Sequence, residues 1–347
     1  MTPRVRVLVV GLGHMGAPHA IAYHRNPGFE IVGLMSRNIR GAVLPEELRD
    51  YPLYDDFDRA LAELRPDAVS INSWPDTHAE YAIKSMEAGA HVFLEKPIAP
   101  TIEDAERVVA AAVKYKRKLL VGYILRVHPS WMKFIDIGRT LGKPLVMRLS
   151  LNQQSSGEAW GWHRNLLQSV TPLVDVGVHY VDVMCQVTGA KPVRVHGIGA
   201  RLWDQGTRNY YGQLQVTFDD GSVGWFEASW GPMMSETAYF VKDIVGPGGA
   251  VSLIAGTVMD SGTTDSIRIH RADVDANKTF VREDEIVSMP DEPSLQALCD
   301  REQALFLRAI NDDLDLTDSM AAAINSLRVV LAAEESIATG EVVTLAP

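Results

Sequence analysis

Residues Arg4 to Gly16 read Arg-Val-Arg-Val-Leu-Val-Val-Gly-Leu-Gly-His-Met-Gly. A β-branched apolar run ends on Gly11, and glycines recur at 13 and 16, giving GxGxxG directly after a strand. Each glycine has its own reason to be there: Gly11 permits the tight turn, Gly13 lets backbone approach a pyrophosphate, and Gly16 lets the following helix pack closely. The helix N-terminus, with His14 and Met15 in the turn before it, offers free N–H groups to the phosphates. Placed between a strand and a helix, the hexapeptide implies a bound dinucleotide on a Rossmann sheet, doubly wound and parallel.

Working outward, the same alternation continues. Arg4–Val10, Glu30–Met35, Ala68–Asn72, His91–Leu94 and Lys118–Val121 are strand candidates. Between them, Asp76 and Thr77 open a helix over Ala79–Ala88 that Gly89 stops, and Thr101 opens another over Glu103–Lys116. Strands alternating with helices predict an α/β domain over residues 1–124. After residue 142 strands follow one another through turns: Val193–Trp203, Tyr210–Phe218, Ser222–Ser229 and Ala238–Val245, with Asp219-Asp220-Gly221 as a hairpin turn. That texture predicts an α+β domain over 125–347 built on a large, mostly antiparallel open sheet. Two helices, Ser294–Asn311 and Ser319–Thr339, close the chain.

Composition narrows the functional classes. A chain of 347 residues suits two cores rather than one. Its net charge of −11, from 33 basic and 44 acidic side chains, opposes binding to nucleic acid. The apolar run at Val7–Val10 is too short for a signal peptide or membrane span, so no membrane partner and a reducing, cytoplasmic setting are expected. With only Cys185 and Cys299, a disulfide framework or cysteine zinc site is not expected, and the ten scattered histidines suggest no metal centre.

Three further segments lie where parallel strands end, the place open α/β sheets put their ligands. Met35-Ser36-Arg37-Asn38 lacks the carboxylate that would hold a ribose 2′-hydroxyl. Ser36 and Arg37 therefore tilt the choice between NAD and NADP toward NADP, although Arg37 stacking on adenine suits NAD as well. Ser73-Trp74-Pro75-Asp76-Thr77-His78 leaves a strand and enters a helix, and Glu95-Lys96-Pro97 follows another strand. Taken alone, Glu95 and Lys96 can simply neutralise each other, and a lone His78 can be a surface or capping histidine.

Together with Asp175-Val176-Gly177-Val178-His179-Tyr180-Val181-Asp182, these motifs run in an order and spacing that resembles the Gfo/Idh/MocA family of oxidoreductases. The resemblance implies an NAD(P)-dependent dehydrogenase or reductase acting on a secondary alcohol of a sugar, cyclitol or polyol. It also allows two alternatives: a lyase, epimerase or glycosidase that retains its nucleotide and oxidises transiently, and a non-catalytic nucleotide-binding regulator. It places Lys96 beside the nicotinamide and the reacting hydroxyl, makes the bond to Pro97 cis, and puts Glu95 at the nicotinamide ribose. Ser73, Trp74, His78 and Arg126 join the cofactor set, His179 and Asp175 the catalytic set. A homodimer or homotetramer through the second domain's sheet is implied as well.

The chemistry of the residues agrees. If Leu173–Val187 is one helix, Asp175 and His179 share a face. Alcohol oxidation removes a hydroxyl proton as hydride leaves carbon, a task suited to a histidine. His179 is thus the expected acid/base, Lys96 holds or relays the proton, Asp175 orients, and Asp182 is structural. Family members often carry glycines just before the motif aspartate, where this chain has Ser169, Val170 and Thr171, so the pocket is reshaped. Upstream, Trp160, Trp162, His163 and Arg164, with Tyr123, are candidates for lining a sugar or cyclitol site, whose C–H faces stack on aromatic rings. His128, Trp131, Trp225 and Trp230 read as core or interface.

Overall fold

The computed structural model describes residues 3–41, 43–203, 208–234, 241–254, 265–290 and 292–345. The chain divides into two compact units, 1–127 with 293–324, and 128–292 with 325–347.

In chain order the first unit holds β1 (Val5–Val10), α1 (Gly16–Arg25), β2 (Phe29–Met35), β3 (Leu53–Tyr54), α2 (Phe57–Leu64), β4 (Ala68–Ile71), α3 (His78–Glu87), β5 (His91–Glu95), α4 (Ile102–Tyr115) and β6 (Leu119–Gly122). Its six strands are all parallel, in the order β3-β2-β1-β4-β5-β6. Val7, Leu8, Val9 and Val10 have no solvent exposure, as expected of a central strand covered by helices on both faces. The order reverses at the β1/β4 boundary, the switch point where such sheets bind ligands. Thr101 caps α4 by accepting from the Asp104 N–H at 3.1 Å, and Gly89, at φ +94°, follows α3. The short strand β3 escapes a reading by periodicity, since two residues carry no alternation.

The second unit begins with α5 (Pro129–Gly138), β7 (Val146–Gln154), α6 (Gly157–Leu166), α7 (Pro172–Asp175) and α8 (Gly177–Thr188). It continues through β8 (Pro192–Ala200), β9 (Tyr211–Phe218), β10 (Val223–Gly231), β11 (Lys242–Gly246), β12 (Gly249–Ile254), β13 (Ser266–Arg271) and β14 (Glu285–Ser288). Then α9 (Leu295–Asn311) belongs to the first unit, α10 (Thr317–Thr339) runs across the division, and β15 (Val343–Thr344) ends the second. Nine strands form one sheet, β14-β13-β12-β11-β7-β10-β9-β8-β15, antiparallel throughout except for the β7–β10 pair. The hairpin at Asp219-Asp220-Gly221 joins β9 to β10, with Gly221 at φ +83°. Phe226 of β10 stacks on Tyr180 of α8 at 4.6 Å, while Val146, Val223 and Val245, aligned across three strands, are exposed.

Four expectations change in detail. Strand β8 stops at Ala200, short of Trp203. Of the strand expected at Ala238–Val245, residues 238–240 lie outside the described residues and the remainder is β11 from Lys242. Leu173–Val187 is not one helix: it divides at Val176 into α7 and α8, and the His179 N–H bonds the Val176 carbonyl rather than that of Asp175. Beside the break Gly177 packs closely on Val330 and Phe226, where a Cβ would lie 3.1 and 3.3 Å away. The segment 293–324 also returns to the first unit instead of staying with the residues that precede it.

Candidate active site

The glycine turn sits at the switch point of the parallel sheet, and its three glycines face three different surroundings. Gly11 has φ +82°, and a Cβ on it would come within 2.5 Å of the Asn72 carbonyl oxygen. At Gly16 a Cβ would fall 2.0 Å from the Gly11 carbonyl oxygen. A Cβ at Gly13 would meet nothing within 4 Å. The outer glycines are thus demanded by the fold, and the middle one keeps backbone uncovered toward open space. Helix α1 starts at Met15 without a side-chain cap and with no acidic residue in its first turn. Its first N–H groups therefore suit an anion, and the residues present fit a dinucleotide pyrophosphate.

The strand ends beside this turn carry the other expected cofactor residues. Arg37 is exposed after β2 and Ser36 is half-buried. Ser73 Oγ pairs with Thr77 Oγ1 at 2.6 Å, and the Trp74 ring is 40% exposed after β4. His78 is different. It is fully buried, with Nδ1 2.7 Å from the Pro97 carbonyl oxygen and Nε2 3.0 Å from that of Ser73. Burial holds its pKa below the ordinary histidine value despite the two carbonyls, and a neutral ring donates to only one of them. His78 thereby ties the loop after β4 to the loop after β5, a role no local pattern announces.

Lys96 follows β5 and its bond to Pro97 is cis. The Glu95 side chain turns inward: one oxygen accepts from the Lys96 N–H at 3.0 Å, the other lies 2.8 Å from His19 Nε2, and the residue is 6% exposed. Arg126 donates to Ser319 Oγ at 2.9 Å and lies 5.4 Å from the Tyr123 ring centroid, with that ring buried. Tyr123 is accordingly a floor for Arg126 within the first unit.

Behind Glu95 lies a cluster that sequence reading missed. His19 on α1 has no exposure, and Gln303 of α9 donates to its Nδ1 at 2.8 Å. Glu302 Oε2 is 4.0 Å from His19 Nε2 and makes no hydrogen bond, and burial followed by the charge of Glu95 pushes its pKa far above the carboxylate range. Cys299 lies close by, its thiol pushed up by burial and the neighbouring carboxyls. His19, Cys299 and Glu302 bring donor atoms within 4.8 Å of one another, but a cation there must displace Glu95 from His19. The signal available in sequence was faint: one histidine three residues past the motif, with Glu95 76 residues away and Gln303 284 residues away.

The second unit holds the remaining candidates. Asp175 ends α7 and is 9% exposed; His179 lies in the first turn of α8 and is half-buried. Asp182 is buried and accepts from Gln186 at 2.8 Å, matching its structural reading. Thr171 caps α7 by accepting from the Val174 N–H and donates to Glu334 at 2.5 Å, so the departure from glycine serves the helix start. On α6, His163 is buried with its ring parallel to Trp230 at 4.7 Å, which makes it core. Trp162 and Arg164 are exposed, and Trp160 packs on Trp203 and Tyr210 at 5.9 and 5.8 Å.

Comparison with known proteins agrees with this architecture. Residues 5–123 match the model described as "Oxidoreductase family, NAD-binding Rossmann fold", and residues 135–242 match the Gfo/Idh/MocA C-terminal domain. A D-glucoside 3-dehydrogenase of Escherichia coli is 28% identical over 245 residues, 65% of this chain and 70% of that protein. An inositol 2-dehydrogenase of Rubrobacter xylanophilus is 28% identical over 286 residues, 77% of this chain and 76% of its own length. Among solved structures, an Agrobacterium radiobacter oxidoreductase in complex with NAD+, L-tartaric acid and magnesium has the same fold, with a TM-score of 0.80, 16% identity and coverage of 98% of both chains. With both domain models matched in order, the chain belongs to the Gfo/Idh/MocA family of NAD-binding oxidoreductases.

Proposed function

We propose that the protein is an NAD(P)-dependent dehydrogenase that moves hydride between the nicotinamide and a secondary alcohol or ketone of a sugar, cyclitol or polyol. The observation that carries this reading is the glycine turn, open at Gly13 and closed at Gly11 and Gly16, on the same sheet edge as Lys96 in a chain of this family. When bound, the nicotinamide would supply the hydride acceptor for the carbinol carbon. The turn at Gly11, Gly13, His14, Met15 and Gly16 would hold the nucleotide's pyrophosphate, and Ser36, Arg37, Ser73, Trp74 and Arg126 would line the rest of it. Lys96 holds the reacting hydroxyl, His179 takes its proton, and Asp175 orients the imidazole or the substrate. The aromatic segment at Trp160 and Trp162 faces the sugar ring, with Arg164 reaching its hydroxyls.

The finer assignments follow the same residues. Arg37, with no carboxylate beside it after β2, favours a 2′-phosphate, so NADP+ should be used better than NAD+ by roughly tenfold and Arg37→Ala should erase the preference. Among the described residues no helix is long and apolar enough to cross a membrane. We place the protein in the cytoplasm as a dimer or tetramer through the nine-stranded sheet, which light scattering on the purified protein will test.

The decisive experiment follows nucleotide absorbance with a panel of myo-inositol, scyllo-inositol and methyl glucosides. Nicotinamide is expected to be reduced in proportion to product. Lys96→Ala and His179→Ala should each lose at least about a thousandfold in kcat while NADH affinity holds. Full turnover in both variants sinks the assignment, and product without net absorbance change means an internally recycled nucleotide.

A further inference from the structure

We propose that His19 is a positioning residue for Lys96, acting through the carboxylate of Glu95, and that α9 completes the device by fixing the His19 ring with Gln303. The inference rests on the reading of Lys96 as the residue at the reacting hydroxyl.

The chain of contacts is continuous and buried. Gln303 Nε2 lies 2.8 Å from His19 Nδ1, which leaves the ring proton on Nε2, aimed at Glu95 Oε1 2.8 Å away. The other Glu95 oxygen accepts from the main-chain N–H of Lys96 at 3.0 Å. The histidine ring is braced against Phe93, with centroids 4.7 Å apart. The carboxylate also rests close to Gly122, where a Cβ would come within 3.3 Å of Oε1. Both oxygens of Glu95 are therefore engaged.

Stability alone explains this arrangement poorly. Buried ion pairs and polar groups are often replaceable by apolar side chains without loss, because the desolvation cost offsets the attraction. Here the unpaired Glu302 oxygen adds a further cost at the same spot. What the arrangement supplies is direction. His19 stands three residues past Gly16 on the helix whose N-terminus faces the nucleotide, and Glu95 immediately precedes Lys96. One hydrogen-bonded chain thus joins the phosphate turn's helix to the backbone of the reactive lysine.

The test compares His19→Ala with His19→Gln, whose amide can still donate to Glu95. NADH affinity is measured by fluorescence. Lys96 reactivity is measured by pyridoxal phosphate labelling and borohydride reduction, read by mass spectrometry with and without NADH. kcat and KM are measured with the best substrate of the panel. His19→Ala should keep NADH affinity within about threefold, change the Lys96 labelling rate at least about fivefold, and lower kcat at least about tenfold with little change in KM. His19→Gln should recover most of both effects. In a Glu95→Gln background, His19→Ala should add less than about twofold, since the two act as one unit. Wild-type labelling and kcat in a folded His19→Ala protein overturn the proposal, as does full additivity with Glu95→Gln. Stoichiometric zinc in the purified protein, with the same losses on chelation, replaces it. If His19→Ala does not fold, Gln303→Leu carries the comparison: altered labelling and lowered kcat support the chain, and wild-type values overturn it. Turnover by Lys96→Ala removes the catalytic reading alone, and the labelling of wild-type Lys96 then judges the positioning claim by itself.

Discussion

Glu302 is a buried carboxyl of the first unit whose proton affinity is raised by the fold. It is 3% exposed, one oxygen has no hydrogen-bond partner, and burial together with Glu95 raises its pKa well above the carboxylate range. In the unfolded chain it ionises near its ordinary value of about 4.3. Above that pH the folded protein holds one proton more than the unfolded chain, so stability is full at lower pH and falls as pH rises toward the folded pKa. Glu302→Gln preserves shape and removes the titration. Its gain in unfolding free energy over wild type, measured by denaturant titration, should be small at about pH 5 and grow toward about pH 8, by up to roughly 1.4 kcal/mol for each pH unit inside the window. A difference that stays flat or shrinks with pH means Glu302 is ionised in the fold.

The strand-turn-helix element that opens the chain separates folding from binding at neighbouring positions. A side chain at Gly16 collides with the Gly11 carbonyl at 2.0 Å, against rigid backbone, while one at Gly13 meets open space. Gly16→Val should cost at least about 3 kcal/mol and lower Tm accordingly, as overpacking against backbone does. Gly13→Val should leave Tm within a few degrees yet raise the NADH dissociation constant at least about tenfold, by holding the pyrophosphate off the turn. Equal losses of stability in the two variants would contradict the division. This element was legible because its information is local: β-branched residues, glycine spacing and a helix start. The same holds for Glu95-Lys96-Pro97 after β5 and for Thr101 at the start of α4. It fails for the break at Val176, beside which Gly177 packs closely on Val330 and Phe226 from distant parts of the chain. It fails for His78, whose partner Pro97 is 19 residues on, and for His163, whose stacking on Trp230 joins α6 to a strand far along the chain.

At the scale of the molecule, the first unit is not a continuous stretch, and this has a consequence for how the chain can be cut. Strand β6 ends the parallel sheet at Gly122, so a boundary near residue 124 is what a sequence reading draws. The structure brings 293–324 back. Phe306 of α9 is fully buried, its ring 6.3 Å from Phe29 and 6.1 Å from Phe93, within the core that also holds Val5, Val7, Val9 and Tyr23. Gln296 donates to the Pro18 carbonyl at 2.9 Å, Gln303 to His19 at 2.8 Å, and Lys118 reaches the Leu314 carbonyl at 2.6 Å. Removing α9 uncovers this aromatic core and leaves His19 without its second partner. Loss of the Phe306 side chain alone costs about 3–5 kcal/mol, a large part of the 5–15 kcal/mol that holds a typical domain. A fragment of residues 1–127 should therefore melt without a cooperative transition and bind NADH poorly. The same fragment joined to 293–324 through a short glycine-serine linker should regain both properties, followed by circular dichroism and nucleotide fluorescence. Cooperative melting with full NADH affinity in the shorter fragment would show that α9 merely decorates a sheet complete without it. It would also leave Gln303 no part in orienting His19.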